Sequence, residues 1–141
     1  MLRSALRWRS VVSTPNAPKA IGPYSQAIKS NGFVFVSGML GLNPKTMDWV
    51  HPNGAHDIKV QTEQALLNLT SVLEAAGCGP EHVVKTTILL NSIEDFAVVN
   101  DLYAKVFTKD PPARATFAVK TLPKYALIEI DAIAVDPAHN H

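Results

Sequence analysis

Ala27-Ile-Lys-Ser-Asn-Gly-Phe-Val-Phe-Val36 carries the strongest fold signal in this 141-residue chain. Two runs suited to strands meet at Asn31-Gly32, residues that tolerate the left-handed backbone of a two-residue type I′ turn. Such a turn fixes the register. Ser30 falls opposite Phe33, Gln26 opposite Ser37 and Tyr24 opposite Met39. Tyr24 and Ser37 then become diagonal neighbours on one face, about 7–8 Å apart at the backbone. Ile28 and Phe35 lie on that face too. Upstream, Pro15, Pro18 and Pro23 with Gly22 keep the chain extended.

Downstream, Asn43-Pro44, Pro52 and Asn53-Gly54 mark residues 39–55 as loop. From Asp57 to Ala76, apolar residues at Val60, Leu66, Leu69, Val72, Leu73 and Ala76 have helical spacing, and Gly77 and Gly79 end it. His82–Leu90 is β-branched and almost continuously apolar, which predicts a central strand. Ser92-x-x-Asp95 starts a second helix, over about 93–107. Its apolar face centres on Phe96 with Val99, Leu102, Tyr103, Val106 and Phe107, and Asn100 sits on the rim of that face. A buried amide there needs a partner, since an unsatisfied one costs about 1–3 kcal/mol. Two last strands, about 115–121 and 126–135, are joined by Leu122-Pro-Lys-Tyr125 and read as a second hairpin. The expected architecture is α+β: one mainly antiparallel sheet covered on one face by two helices.

Composition narrows the function. A hydrophobic share of 47% and a charged share of 18% describe an ordinary single globular domain. No apolar run approaches the roughly 18–20 residues that a membrane helix needs. Cys78 is the only cysteine, so an intramolecular disulfide is ruled out and a reducing compartment is expected. Arg3, Arg7 and Arg9 precede the first acidic residue, Asp48. An Arg-rich, Ser-containing, acid-free opening is the composition of an organellar address. Residues 1–13 are therefore expected to be a targeting extension, mitochondrial by this composition, with plastid or cytoplasmic location as alternatives, and 14–141 the single domain. Taking away those three arginines turns the formal +1 into −2, a poor balance for nucleic-acid binding.

Arg114 follows Pro111-Pro112-Ala113, and strand alternation puts Arg114, Thr116 and Ala118 on one face. If the last strands form a hairpin, Thr116 and Glu129 become diagonal neighbours on the face of Arg114; a bulge would flip this. Spacing alone leaves Arg114 open between a surface ion pair and a binding group. Tyr24, Ser37 and Asn100 have equally plain structural readings. The five histidines show no metal-ligand spacing, Ser37 lacks a nucleophile-elbow context, and no Gly-rich phosphate loop occurs. No metal or cofactor is expected.

Six ordered motifs make the pattern specific: Pro18-Lys-Ala-Ile-Gly-Pro-Tyr-Ser-Gln-Ala27, Phe33-Val-Phe-Val-Ser-Gly38, Val83-Val-Lys-Thr-Thr87, Asp95-Phe-Ala-Val-Val-Asn100, Pro112-Ala-Arg-Ala-Thr116 and Ile128-Glu-Ile-Asp-Ala-Ile-Ala134. From about Pro15 to Val135 the chain resembles the Rid family, also called the YjgF or perchloric-acid-soluble protein family. The resemblance implies a chorismate-mutase-like fold and a homotrimer with ligand clefts between subunits. It also implies hydrolysis of 2-aminoacrylate, 2-iminopropanoate and 2-iminobutanoate to 2-keto acids and ammonia. These enamines and imines are released by pyridoxal-phosphate enzymes, a functional link rather than a bound cofactor. By the same resemblance Arg114 holds the substrate carboxylate, Glu129 helps position the attacking water, and Tyr24, Ser37, Gly38 and Asn100 line the cleft. Thr116 stands where many relatives have Cys, so a thiol-specific role is absent. Two alternatives are a non-catalytic sensor of 2-keto acids and a translation-inhibiting ribonuclease.

Overall fold

The computed structural model describes residues 8–139. Its strands are β1 (Ser10–Val12), β2 (Ala27–Ser30), β3 (Phe33–Met39), β4 (Val83–Leu90), β5 (Ala113–Ala118) and β6 (Ile128–Val135). Its α-helices are α1 (Ile58–Ala75) and α2 (Phe96–Val106). The first hairpin forms as its turn residues require. Asn31 and Gly32 have φ of 53° and 85°, and Ser30 faces Phe33. The Ser37 amide donates to the Gln26 carbonyl, continuing the ladder. Tyr24 leaves it, because its amide turns back to the carbonyl of Gly22; the expected Tyr24–Met39 pairing is absent.

Asp57 caps α1 by accepting from the amides of Lys59 and Val60. The helix ends where Gly77, at φ 82°, lets the amide of Cys78 reach back to the carbonyl of Leu73. It buries Leu66, Leu69, Val72 and Leu73 as the apolar spacing predicts, and also Gln61 and Asn68, which that spacing does not predict. Each buried amide ties a loop to the helix. Gln61 donates to the carbonyl of Gly54 and accepts from the amide of Leu127; Asn68 donates to the carbonyls of Leu40 and Leu42. A 3-10 turn, Ile93–Asp95, leads into α2, with the Ser92 hydroxyl accepting from the Glu94 amide.

The sheet order is β1-β2-β3-β6-β4-β5, antiparallel except for the parallel pair β4–β5. The expected second hairpin is therefore corrected: β5 and β6 do not touch as neighbours, because β4 lies between them. The nearly continuous apolar run of β4 explains this, since a strand of that kind takes partners on both edges. The connection from β5 to β6 steps over its end, where the Val119 amide donates to the Leu90 carbonyl and the Asn91 amide to the Leu127 carbonyl.

The helices cover one face of the sheet. Val34, Ile88, Leu90, Ile130 and Ala134, on the face turned to α1 and α2, are at most 1% exposed. The other face is open and partly apolar, with Val11, Phe33, Phe35 and Phe117 exposed between 40 and 62%. β1 belongs to the sheet, and Val12 packs in the core. Part of the segment whose composition reads as an address is thus an edge strand of the domain. Residues 1–7, which hold Arg3 and Arg7, lie outside the described residues.

Candidate functional site

Two groups of polar residues stand apart. The first surrounds Arg114 near the start of β5, opposite Thr86 of β4 and on the helix-covered side. The guanidinium carbon lies 5.5 Å from the ring centroid of Phe96 and 4.9 Å from that of Tyr103, both on α2. Asn100 falls between those two rings in the helix and is half-buried. Beneath them, the Thr86 and Tyr103 hydroxyls are 2.7 Å apart in the core. Burial raises the Tyr103 pKa, opposed by the Thr86 hydrogen bond and the nearby Arg114. Among the described residues, no carboxylate lies within salt-bridge distance of Arg114, and Asn100 makes no side-chain hydrogen bond. Thr116, two residues along the same face, has its hydroxyl oxygen turned inward without a partner.

The second group gathers on the open face around Glu129. A cleft of about 290 Å³ is lined by Ile21, Tyr24, Ser37, Gly38, Leu40, Pro123 and Glu129. The Glu129 side chain lies across the backbone of Gly38: a Cβ there would come within 2.6 Å of Cδ and 2.7 Å of Oε2. A side chain at 38 would push the carboxyl off this seat. Burial, and then the like charge of Asp131, push the Glu129 pKa up. Ser37 donates its hydroxyl proton to the Ser25 carbonyl at 2.6 Å, so it offers the cleft an acceptor. The Tyr24 hydroxyl accepts from the Ile21 amide at 3.2 Å, which holds the ring against its own loop.

The structure thus brings Tyr24, Ser37, Gly38 and Glu129 together, and separately brings Arg114 and Asn100 together with Thr116 nearby. It does not unite the two groups within one chain. Thr116 and Glu129, expected as neighbours on one face, are on opposite faces of the sheet. Thr116 pairs with Ile88 and Glu129 with Leu89, consecutive residues of the intervening β4. Sequence reading also gave no role to Gln26. It is 5% exposed and accepts from the Thr14 amide while donating to the carbonyls of Thr14, Ala17 and Pro18, clamping the loop that leads to Tyr24. Its signal was an amide opening a strand whose next residue is core. Tyr103 was read only as part of an apolar face; its spacing from Phe96, with Asn100 between, was the available clue.

Fold and geometry define a class: a small α+β domain in which an arginine set against two rings and a part-buried carboxyl stand in separate polar groups on opposite faces of the sheet. The profile of the Endoribonuclease L-PSP family matches residues 14–136, and the chain belongs to that family, which is the Rid family of the resemblance. It is 50% identical over 126 residues to Reactive Intermediate Deaminase A, chloroplastic, of Arabidopsis thaliana. That match covers 89% of this chain and 65% of the plant protein, so the chain spans just under two thirds of that relative's length. It is 46% identical over 127 residues to the 2-iminobutanoate/2-iminopropanoate deaminase of Bos taurus, covering 90% of each. The crystal structure of TdcF from E. coli with bound serine superposes with a TM-score of 0.82 at 32% identity, covering 89% of this chain and 98% of the other.

Proposed function

We propose that the protein hydrolyses small 2-imino acids and their enamine tautomers (2-aminoacrylate, 2-iminopropanoate and 2-iminobutanoate) to 2-keto acids and ammonia, in clefts shared between copies of the chain. The observation that carries this reading is Arg114: a guanidinium set against two rings, with no carboxylate partner among the described residues. A carboxylate-bearing ligand fits that guanidinium by two parallel hydrogen bonds. The relatives named as deaminases, and the neighbour holding serine, a carboxylate-bearing amino acid, support it.

Arg114 grips the substrate carboxylate and Asn100 offers its free amide beside it. Glu129 takes a proton from water as the oxygen bonds to the imine carbon and passes it to the imine nitrogen, giving a neutral carbinolamine. Glu129 then takes the carbinolamine hydroxyl proton and returns it to the nitrogen as the C–N bond breaks, so the 2-keto acid and ammonia leave and the carboxylate is regenerated. A carboxyl with a raised pKa suits both halves of this transfer. Ser37 accepts from the imine N–H or from water, and Tyr24 and Gly38 wall the cleft. An imine is already electrophilic, so orientation and proton transfer suffice without a metal or cofactor. A sensor of 2-keto acids would need Arg114 but not a carboxyl poised for proton transfer, which favours catalysis. RNA cleavage by an acid–base pair would call for a second proton-transfer group beside Glu129, and among the described residues no histidine lines that cleft.

Arg114 and Glu129 occupy opposite faces, so the reading requires Arg114 of one copy to meet the Glu129 cleft of the next. A homotrimer closes such head-to-tail contacts and covers the open apolar face. The imines come from pyridoxal-phosphate enzymes, which release them free. Residues 1–13 serve as the organellar address, mitochondrial in this chain; a plant relative with a chloroplastic name supports an organelle. A reporter fused to residues 1–13 that stays cytosolic would exclude it.

The experiment couples an amino-acid oxidase to the purified protein and follows the imine as it forms and decays. Decay accelerates with protein concentration on this reading; an unchanged decay rate rejects it.

A further inference from the structure

An arginine on an edge strand has a long stem and many rotamers, and ordering it for a ligand costs affinity. What holds Arg114 in place is therefore a functional question. Its guanidinium carbon lies 4.9 Å from the Tyr103 centroid and 5.5 Å from that of Phe96. Tyr103 is itself fixed: it is 6% exposed, its ring centroid is 4.5 Å from that of Phe107, and its hydroxyl is 2.7 Å from Thr86 Oγ1. Thr86 in turn is fully buried and sits directly opposite Arg114 in the sheet. Contact with a ring engages the flat face of a guanidinium, while its N–H donors lie in the plane and stay open to a ligand. An ion pair from this chain would instead have occupied that fork.

We infer that Tyr103 is a positioning residue for carboxylate recognition: the Thr86 hydroxyl fixes the ring, and the ring, with Phe96, sets the Arg114 fork before the substrate arrives. The inference rests on the proposed function and deepens it, naming what tunes affinity for the carboxylate end of the substrate. Prepositioning of this kind acts on binding rather than on proton transfer at Glu129. Its effects should fall on KM and leave kcat alone.

The test uses the full chain and four measurements: imine hydrolysis, pyruvate affinity by calorimetry, thermal stability, and the NMR shifts of the Arg114 side chain, which ring currents move. Tyr103→Leu should raise KM and the pyruvate Kd about three- to tenfold, with kcat within about twofold. The Arg114 signals should lose their ring-current shift. Tyr103→Phe keeps the ring, so it should keep that shift and most of the affinity while losing stability, because Thr86 is left unsatisfied. Adding Thr86→Val should restore the stability. A Tyr103→Leu protein with parent KM and a lowered kcat or melting temperature makes Tyr103 structural only and overturns the inference. If that variant does not fold, Phe96→Leu carries the same test on the more exposed ring. Arg114→Ala separates the two levels. Parent-like pyruvate affinity in Arg114→Ala sinks the carboxylate-binding reading itself, whereas a lost affinity there beside an unaffected Tyr103→Leu sinks only the positioning role.

Discussion

The Arg114 and Glu129 half-sites are built by opposite means. Around Arg114 the chain supplies bulk: two aromatic rings from α2 approach a cation, and among the described residues no carboxylate pairs with it. Around Glu129 it withholds bulk, since Gly38 leaves room for the carboxyl to lie on the backbone of β3. In the proposed function, the first arrangement keeps a charge available to a ligand and the second disfavours a charge, so that a proton can be held. A binding group should be constant in its protonation, and a proton-transfer group should not. β4 between them puts the two on opposite faces.

The largest effect expected from breaking this contrast is at the proton-transfer side. Glu129→Gln keeps the shape but cannot take a proton from water, so kcat should fall by about 10²–10⁴ while pyruvate affinity stays near that of the parent. Steady-state rates beside calorimetry read both, and a matching loss of affinity would show that Glu129 binds rather than transfers. Arg114→Lys should do the reverse. It keeps the charge and loses the fork, at about 1.5–3 kcal/mol per charge-assisted hydrogen bond, so kcat/KM should fall roughly tenfold or more. Lysine hydrolysing imines at the parent rate would remove Arg114 from the site.

Asp131→Asn sharpens the contrast more gently. Glu129 acts as a base only when ionised, and burial and then Asp131 raise its pKa. The acid limb of kcat/KM should therefore lie above the ordinary carboxylate range, with activity rising as pH rises through it. Removing the Asp131 charge should move that limb to lower pH while burial holds part of the elevation. A limb that stays put means Asp131 does not reach Glu129 electrostatically. Smallest in its effect on catalysis is truncation of the opening segment. Deleting residues 1–7 should leave stability unchanged. Deleting 1–13 also removes β1 and the buried Val12, and should cost about 1–2 kcal/mol in a denaturant melt with little change in rate. Equal stability of the two truncations would show that β1 contributes nothing to the domain.

Local signals carried most of the fold. Asn31-Gly32 gave a turn and a register, and Asp57 with Gly77 bounded a helix, because caps and turns are decided within a few residues. The partner of β5 was not legible. Leu122-Pro-Lys-Tyr125 looks like a hairpin loop at short range, whereas the actual pairing is decided by how the apolar run at 83–90 covers both its edges. That single misplacement put Thr116 and Glu129 on one face. Alternation grouped Arg114 with Thr116, and of the residues that the motifs assign to one cleft, the fold gathers Tyr24, Ser37, Gly38 and Glu129 in one place and leaves Arg114 and Asn100 in another. Gln26, Gln61 and Asn68 were missed because a buried amide holding loop carbonyls interrupts an apolar pattern without leaving one of its own.

In the proposed function the working cleft joins Arg114 of one copy to Glu129 of another. Arg114→Ala and Glu129→Gln proteins, each nearly inactive alone, should be co-expressed in equal amounts and the mixed assemblies assayed for imine hydrolysis. A shared cleft joins two intact halves in one pairing out of four, so about a quarter of the parent activity should return. If the cleft lies within a single chain, every cleft carries one lesion or the other. Activity that stays at the level of the separate variants would contradict the account.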